Sequence, residues 1–169
     1  MKGLLRDILI AAAAALIIIQ FIRPTVVKET SMEDTLHPND YIFTLCQAYR
    51  FGEPAYGDII VFESDLMTED GRHKLLIKRV IGLPGDTVEI HDNQVILNGE
   101  VLYEEYIREQ GVCPGELSVI VPEDSLFVMG DNRRVSVDSR YEDVGCVDMK
   151  DVRGKAVYRL FHFGERTKL

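Results

Sequence analysis

Hydrophobic residues follow two regimes along this chain. Between positions 8 and 22 they run together, with Gln20 the only polar residue, and Leu4 and Leu5 extend the run beyond Arg6 and Asp7. A helix over 4–22, at about 1.5 Å per residue, would be roughly 28 Å long, close to the thickness of a bilayer's hydrocarbon core. It is apolar all round, with Ala11 to Ala15 followed by Leu16, Ile17, Ile18 and Ile19, so it lacks the polar stripe that a helix packed on a soluble core keeps. A basic start before an apolar core is also the form of a cleavable signal peptide, but residues 20–28 offer no small-x-small cleavage site. The pattern predicts a retained single span over 1–23, closed by Pro24 and followed by extended chain through the β-prone Thr25, Val26 and Val27.

Beyond Pro24 the apolar runs are short and bounded by turn residues. Strands are predicted at 41–45, 58–62, 75–81, 87–90, 94–97, 119–121, 126–129 and 156–160. Asp92-Asn93 and Asn98-Gly99 sit where positive φ is needed to join antiparallel hairpins. Residues 103–116 break the alternation and read as an irregular insertion. The expected fold class is mainly β: a curled antiparallel β-sheet domain over 24–169, preceded by a single N-terminal transmembrane helix.

The 169 residues leave roughly 145 after the apolar segment, enough for one domain with its own core. Hydrophobic content of 46% with 28% charged residues excludes a disordered chain. The formal charge of −9 is uneven: Lys2, Arg6, Arg23 and Lys28 against Asp7 give residues 1–28 a net +3, leaving −12 for the remainder. So acidic a domain is a poor partner for a nucleic-acid backbone. Positive charges flank the apolar segment on both sides, so charge alone does not orient it. Cys46, Cys113 and Cys146 fall in no metal-binding spacing; a Cys113–Cys146 disulfide or buried free thiols both fit.

Three places could carry chemistry. Ser31 lies nine residues past the apolar segment, followed by Met32, Glu33, Asp34, Thr35 and Leu36. On composition alone such a serine reads as a helix cap or turn residue. Lys78 interrupts the apolar stretch 75–81, on the same strand face as Leu76 and Val80. A lysine there must snorkel, pair, or lose its proton, and in the last case the neutral amine is a base. The loop 130–140 mixes carboxylates, hydroxyls and three arginines, which by itself reads as a polar loop of ion pairs. There is no G-x-S-x-G elbow, H-E-x-x-H helix, phosphate-binding glycine loop or dinucleotide fingerprint, and His37, His73, His91 and His162 read as surface or structural residues.

The order of the pieces is more specific than any one of them. An N-terminal apolar span, Ser31-Met32-x-x-Thr35-Leu36, Gly57-Asp58-Ile59-Ile60-Val61-Phe62, Lys78-Arg79-Val80-Ile81-Gly82-Leu83-Pro84-Gly85-Asp86 and Gly130-Asp131-Asn132-Arg133 follow one another. Together they resemble the type I signal peptidases. The resemblance implies a membrane-bound serine endopeptidase that removes signal peptides from secreted preproteins, using a Ser/Lys dyad and neither metal nor cofactor. Ser31 is then the nucleophile, its backbone N–H an oxyanion donor, and Lys78 the general base. Ser136 matches the serine that orients the lysine, and Arg79, Asp131, Asp138 and Arg140 match a supporting polar network. Met32 and Ile77 flank the dyad and are candidates for the substrate pocket. The resemblance also implies a single-pass protein of the cell membrane, with its N-terminus cytoplasmic and its catalytic domain extracytoplasmic. Its partners are preproteins and the lipid bilayer, with no nucleic acid. The chain departs from the family pattern at Glu29, where some members supply a second oxyanion donor, and at Asp34, Arg134 and Val135. A catalytically inactive, membrane-anchored module assisting surface-protein assembly is the alternative reading.

Overall fold

The structure is a computed structural model that describes residues 2–33, 35–107, 109, 111–161 and 165–168. Asp34 and His162, both singled out above, lie outside the described residues. Helix α1 covers Lys2–Phe21, and the stretch Gly3–Phe21 has a mean hydropathy of 2.1 with none of its most apolar window buried against the rest of the chain. It is long and apolar enough to cross a membrane. The helix ends before Pro24, because a proline disfavours helical backbone in the residue preceding it. Strand β1 begins at once, at Ile22–Val26, and Pro24 is tolerated there because β1 is an edge strand. Helix and domain are thus joined without a linker: Ile22 pairs with Leu45, and the Cys46 amide donates to the Phe21 carbonyl at 2.8 Å.

The predicted strands appear, several of them longer than the apolar runs that mark them. They are β2 (Tyr41–Leu45), β3 (Ile59–Met67), β4 (His73–Gly82), β5 (Thr87–His91), β6 (Gln94–Leu97), β7 (Glu100–Val101), β8 (Leu117–Ile120), β9 (Ser125–Met129), β10 (Val147–Asp148), β11 (Val152–Phe161) and β12 (Glu165–Lys168). A one-turn helix α2 (Ala48–Phe51) follows β2, where no helical period had pointed to one. β3 and β4 outrun their apolar cores because pairing continues through polar residues, as in Met67 opposite His73.

All pairings are antiparallel. The main sheet runs β1-β2-β11-β3-β4-β9-β10, with β12 added to β11, and a smaller sheet runs β7-β6-β5-β8. Both expected hairpin turns form: Asp92 and Asn93 have φ of 48° and 62°, Asn98 and Gly99 of 52° and 85°, as a two-residue turn between twisted strands requires. One core cluster, with Val88, Ile90, Phe127 and Cys113, packs the small sheet on the ends of β4 and β9. A second, with Met32, Leu36, Ile42, Ile59 and Val61, lies under the segment that carries Ser31. All three cysteines are free thiols in the structure, with Cys146 packed against the cluster that holds Cys113.

Candidate active site

β4 is the middle of the main sheet, held by β3 on one side and β9 on the other, and it presents Lys78 inward. Lys78 is 1% exposed, buried to its ammonium, so it does not snorkel. Its Nζ lies 2.7 Å from Ser31 Oγ and donates to the Ile77 carbonyl at 3.1 Å. Burial is the main influence on this amine and lowers its pKa from 10.5 to about 8. Asp138, Glu29 and Asp131 pull it back up, while Lys74 pushes it further down. A neutral amine is therefore within reach near physiological pH, beside a hydroxyl it can deprotonate.

Ser31 is fixed from behind. The Asn132 amide donates to the Ser31 carbonyl at 3.0 Å and the Asn132 side-chain amide to the Thr30 carbonyl at 3.2 Å. These bonds tie the Ser31 segment to the 130–140 loop. Gly130 makes that approach possible: a Cβ there would stand 2.4 Å from the Ser31 carbonyl oxygen and 2.2 Å from Ser136 Oγ. Ser136 is buried in the same place, yet its hydroxyl has no hydrogen-bond partner among the described residues. The lysine-orienting bond expected of it is not made.

The four arginine and aspartate residues expected to form a polar network do so, in two pairs. Arg79 grips Asp131 with two hydrogen bonds, of 2.9 and 2.7 Å, and also reaches the Gly57 carbonyl and the Thr35 hydroxyl. Arg140 pairs with Asp138 at 2.8 Å, and Asp138 in turn accepts from the Gly130 amide at 2.9 Å. A third pair has no counterpart in the sequence reading: Glu104 and Arg133, 2% and 4% exposed, meet through two bonds of 2.5 Å. Arg133 also donates to the Gly130 carbonyl, and the Tyr106 ring lies 3.9 Å from the Arg79 guanidinium. The irregular insertion thus braces the 130–140 loop from outside. Nothing in the sequence signalled this: the burial of Arg133, which demands an acidic partner, shows only in the fold.

Beside the Ser31–Lys78 pair lies a cleft of about 500 Å³. Ser31, Met32 and Ile77 all line it, so both candidate pocket residues do face it. One wall is formed by residues 25–29 at and beyond the end of β1, the other by residues 72–77 of β4 and the turn before it, although three strands separate β1 from β4 in the sheet order. Glu29 is ion-paired with Lys74 here, so its carboxylate is occupied as an acceptor rather than available as a donor. Arg134, one of the departures, is an exposed residue paired with Glu109 at 2.8 Å, and Val135 is exposed.

Comparison with known proteins bears directly on this arrangement. The model of the family described as signal peptidase, peptidase S26, matches residues 1–161. The chain belongs to the type I signal peptidase family. Signal peptidase I of Bacillus licheniformis is 38% identical over 173 aligned positions, covering 96% of this chain and 90% of the relative. Signal peptidase I S of Bacillus subtilis (strain 168) is 37% identical, with 96% and 90% covered. The crystal structure of a signal peptidase I from Enterococcus faecalis superposes with a TM-score of 0.52 at 33% identity, over 63% of this chain and 98% of that one. Members of this signal peptidase family are serine peptidases, which agrees with a chain that lacks the histidine-based templates of other hydrolases and sets a serine against a buried lysine.

Proposed function

We propose that this signal peptidase family member is a single-pass membrane endopeptidase that cuts signal peptides from secreted preproteins with a Ser31–Lys78 dyad. The observation that carries the reading is the 2.7 Å approach of a buried lysine amine to the Ser31 hydroxyl at one end of an open cleft. Residues 1–23 form the anchor and 24–169 the catalytic domain. The N-terminus is cytoplasmic and the catalytic domain lies on the extracytoplasmic face, where the membrane helix passes directly into β1.

In the forward reaction the neutral Lys78 amine takes the Ser31 hydroxyl proton as Oγ attacks the scissile carbonyl. The tetrahedral oxyanion is held by the Ser31 backbone N–H. Collapse breaks the C–N bond, and the Lys78 ammonium returns its proton to the leaving amine of the mature protein. Water, deprotonated by the same amine, then hydrolyses the ester and frees the signal peptide. Ser136, held at Gly130, turns its unpartnered hydroxyl to the lysine once substrate is seated. Arg79–Asp131 and Arg140–Asp138 fix the backbone around the dyad. Met32 and Ile77 shape the shallow apolar pocket for the small residue before the cut. An extended peptide docks as an added strand. Confinement of enzyme and substrate helix to one bilayer raises their effective concentration.

The test is cleavage of a preprotein with an Ala-x-Ala site in detergent with lipid. The wild type is expected to cut after the second alanine, with Ser31→Ala and Lys78→Ala folded and inactive. A folded wild type that cleaves none of several such preproteins would favour the inactive assembly module.

A further inference from the structure

The Glu29–Lys74 ion pair takes no step in the mechanism above beyond its charges' opposed pull on the Lys78 amine, yet it lines the cleft that the substrate would occupy. Glu29 is two residues before Ser31, and Lys74 is on β4 four residues before Lys78, on the same strand face. Both line the cleft together with Ser31. Their contact joins the two walls, which the sheet order keeps three strands apart.

The edge of β4 along this lane is open. β9 pairs with Arg79, Val80 and Gly82 only, and among the described residues no strand covers residues 73–77 on the side away from β3. A peptide that adds to this edge passes between Lys74 and Glu29. At about 3.3 Å per residue, the four positions from Lys78 to Lys74 amount to roughly 13 Å. A peptide that runs parallel to β4 then sets beside Lys74 the residue about four before the one seated at the dyad, on the signal-peptide side.

We propose that Glu29 and Lys74 are a paired charge-reading element of the substrate cleft, which selects for a charged side chain, of either sign, about four residues upstream of the residue at the dyad. Both partners are only half-exposed, and a peptide lying between them parts them in a narrow cleft. An uncharged substrate side chain leaves both without a counter-charge. An acidic one pairs with Lys74 and a basic one with Glu29. The inference rests on the signal peptidase reading, because it presumes the docking lane of that reaction.

The experiment uses the full-length protein in detergent with lipid and three otherwise identical signal-peptide substrates. They carry Ala, Asp or Lys at the fourth or fifth residue before the scissile bond. Each kcat/KM is expressed relative to the Ala substrate cleaved by the same variant, so any change in Lys78 basicity cancels. The wild type is expected to prefer both charged substrates over Ala by about two- to fivefold, the range of partly exposed ion pairs. Lys74→Met should abolish the Asp preference and enlarge the Lys preference, and Glu29→Gln should do the reverse. The double variant should treat all three alike, and added salt should flatten the wild-type differences. Ratios that move in parallel in both single variants, or that ignore charge in the wild type, overturn the proposal. A wild type that cleaves none of the three instead overturns the peptidase reading on which it rests.

Discussion

Lys78→Met should make this protein more stable at neutral pH while removing its activity. Burial holds the Lys78 pKa near 8 in the folded protein, against 10.5 for the free side chain. At about 1.4 kcal/mol per pKa unit, keeping a proton on the buried amine costs roughly 3 kcal/mol. The sign follows from proton binding. Below about 8 both folded and unfolded chains carry the proton, and the folded state bears the whole penalty. Between about 8 and 10.5 the unfolded chain binds more protons than the folded one, so the wild type gains stability as pH rises, and above 10.5 the penalty is gone. Methionine fills nearly the same volume without a charge, but it loses the bond to Ser31, worth about 1 kcal/mol. The expected net gain is about 2 kcal/mol at pH 6, or roughly 4–8 °C in apparent melting temperature for a chain of this size. The assay is a thermal unfolding series in detergent at one scan rate, wild type beside Lys78→Met, from pH 6 to pH 10. The gain should shrink steadily above pH 8 and vanish or reverse by pH 10. A gain that is independent of pH, or a Lys78→Met variant less stable than wild type at pH 6, would refute a buried and destabilised amine.

Three further outcomes follow from the same site. The kcat/KM for a neutral peptide substrate should rise with pH, tenfold per unit, to a plateau above about 8, because the free enzyme must hold Lys78 as the neutral amine; a profile flat from pH 6 to 9 would exclude Lys78 as the base. Ser136→Ala should leave the melting temperature unchanged or slightly raised, since the buried hydroxyl has no partner to lose. The same variant should lower kcat by at least about tenfold, because a general base loses rate when its orientation is not held, and single-turnover kinetics would separate this from a loss of affinity.

Much of the β framework was legible in the chain because strand alternation is a local signal. Residues 41–45 and 94–97 match their strands end to end, and both tight turns sit where Asp92-Asn93 and Asn98-Gly99 announce them. The end of β3 and the start of β4 were harder to bound, since hydrogen-bonded pairing carries polar residues such as Glu63 and His73 past the apolar runs. α2 gave no signal because four residues hold too little periodicity to register. The site divides along the same line. Ser31 and Lys78, 47 positions apart, were linked in the sequence by family resemblance alone, as each by itself reads as an ordinary cap or a snorkelling lysine. Glu104 was invisible: it lies in a segment without alternation, and its partner is 29 positions away in a loop already rich in charge. Long-range ion pairs leave no periodic trace, and the three that surround this dyad are of that kind or sit within an irregular loop.

The direct passage from α1 into β1 gives the cleft a mechanical property. β1 is both the continuation of the helix and, through Thr25 and Val26, a side of the groove, and no flexible residues intervene to absorb a twist. A torque on α1 therefore arrives at that side as a displacement. The opposite side belongs to β4, which β3 and β9 hold in the middle of the sheet. With α1 seated in a bilayer as proposed above, the β1 side of the groove is the one nearest the membrane and the one a change in helix tilt moves first.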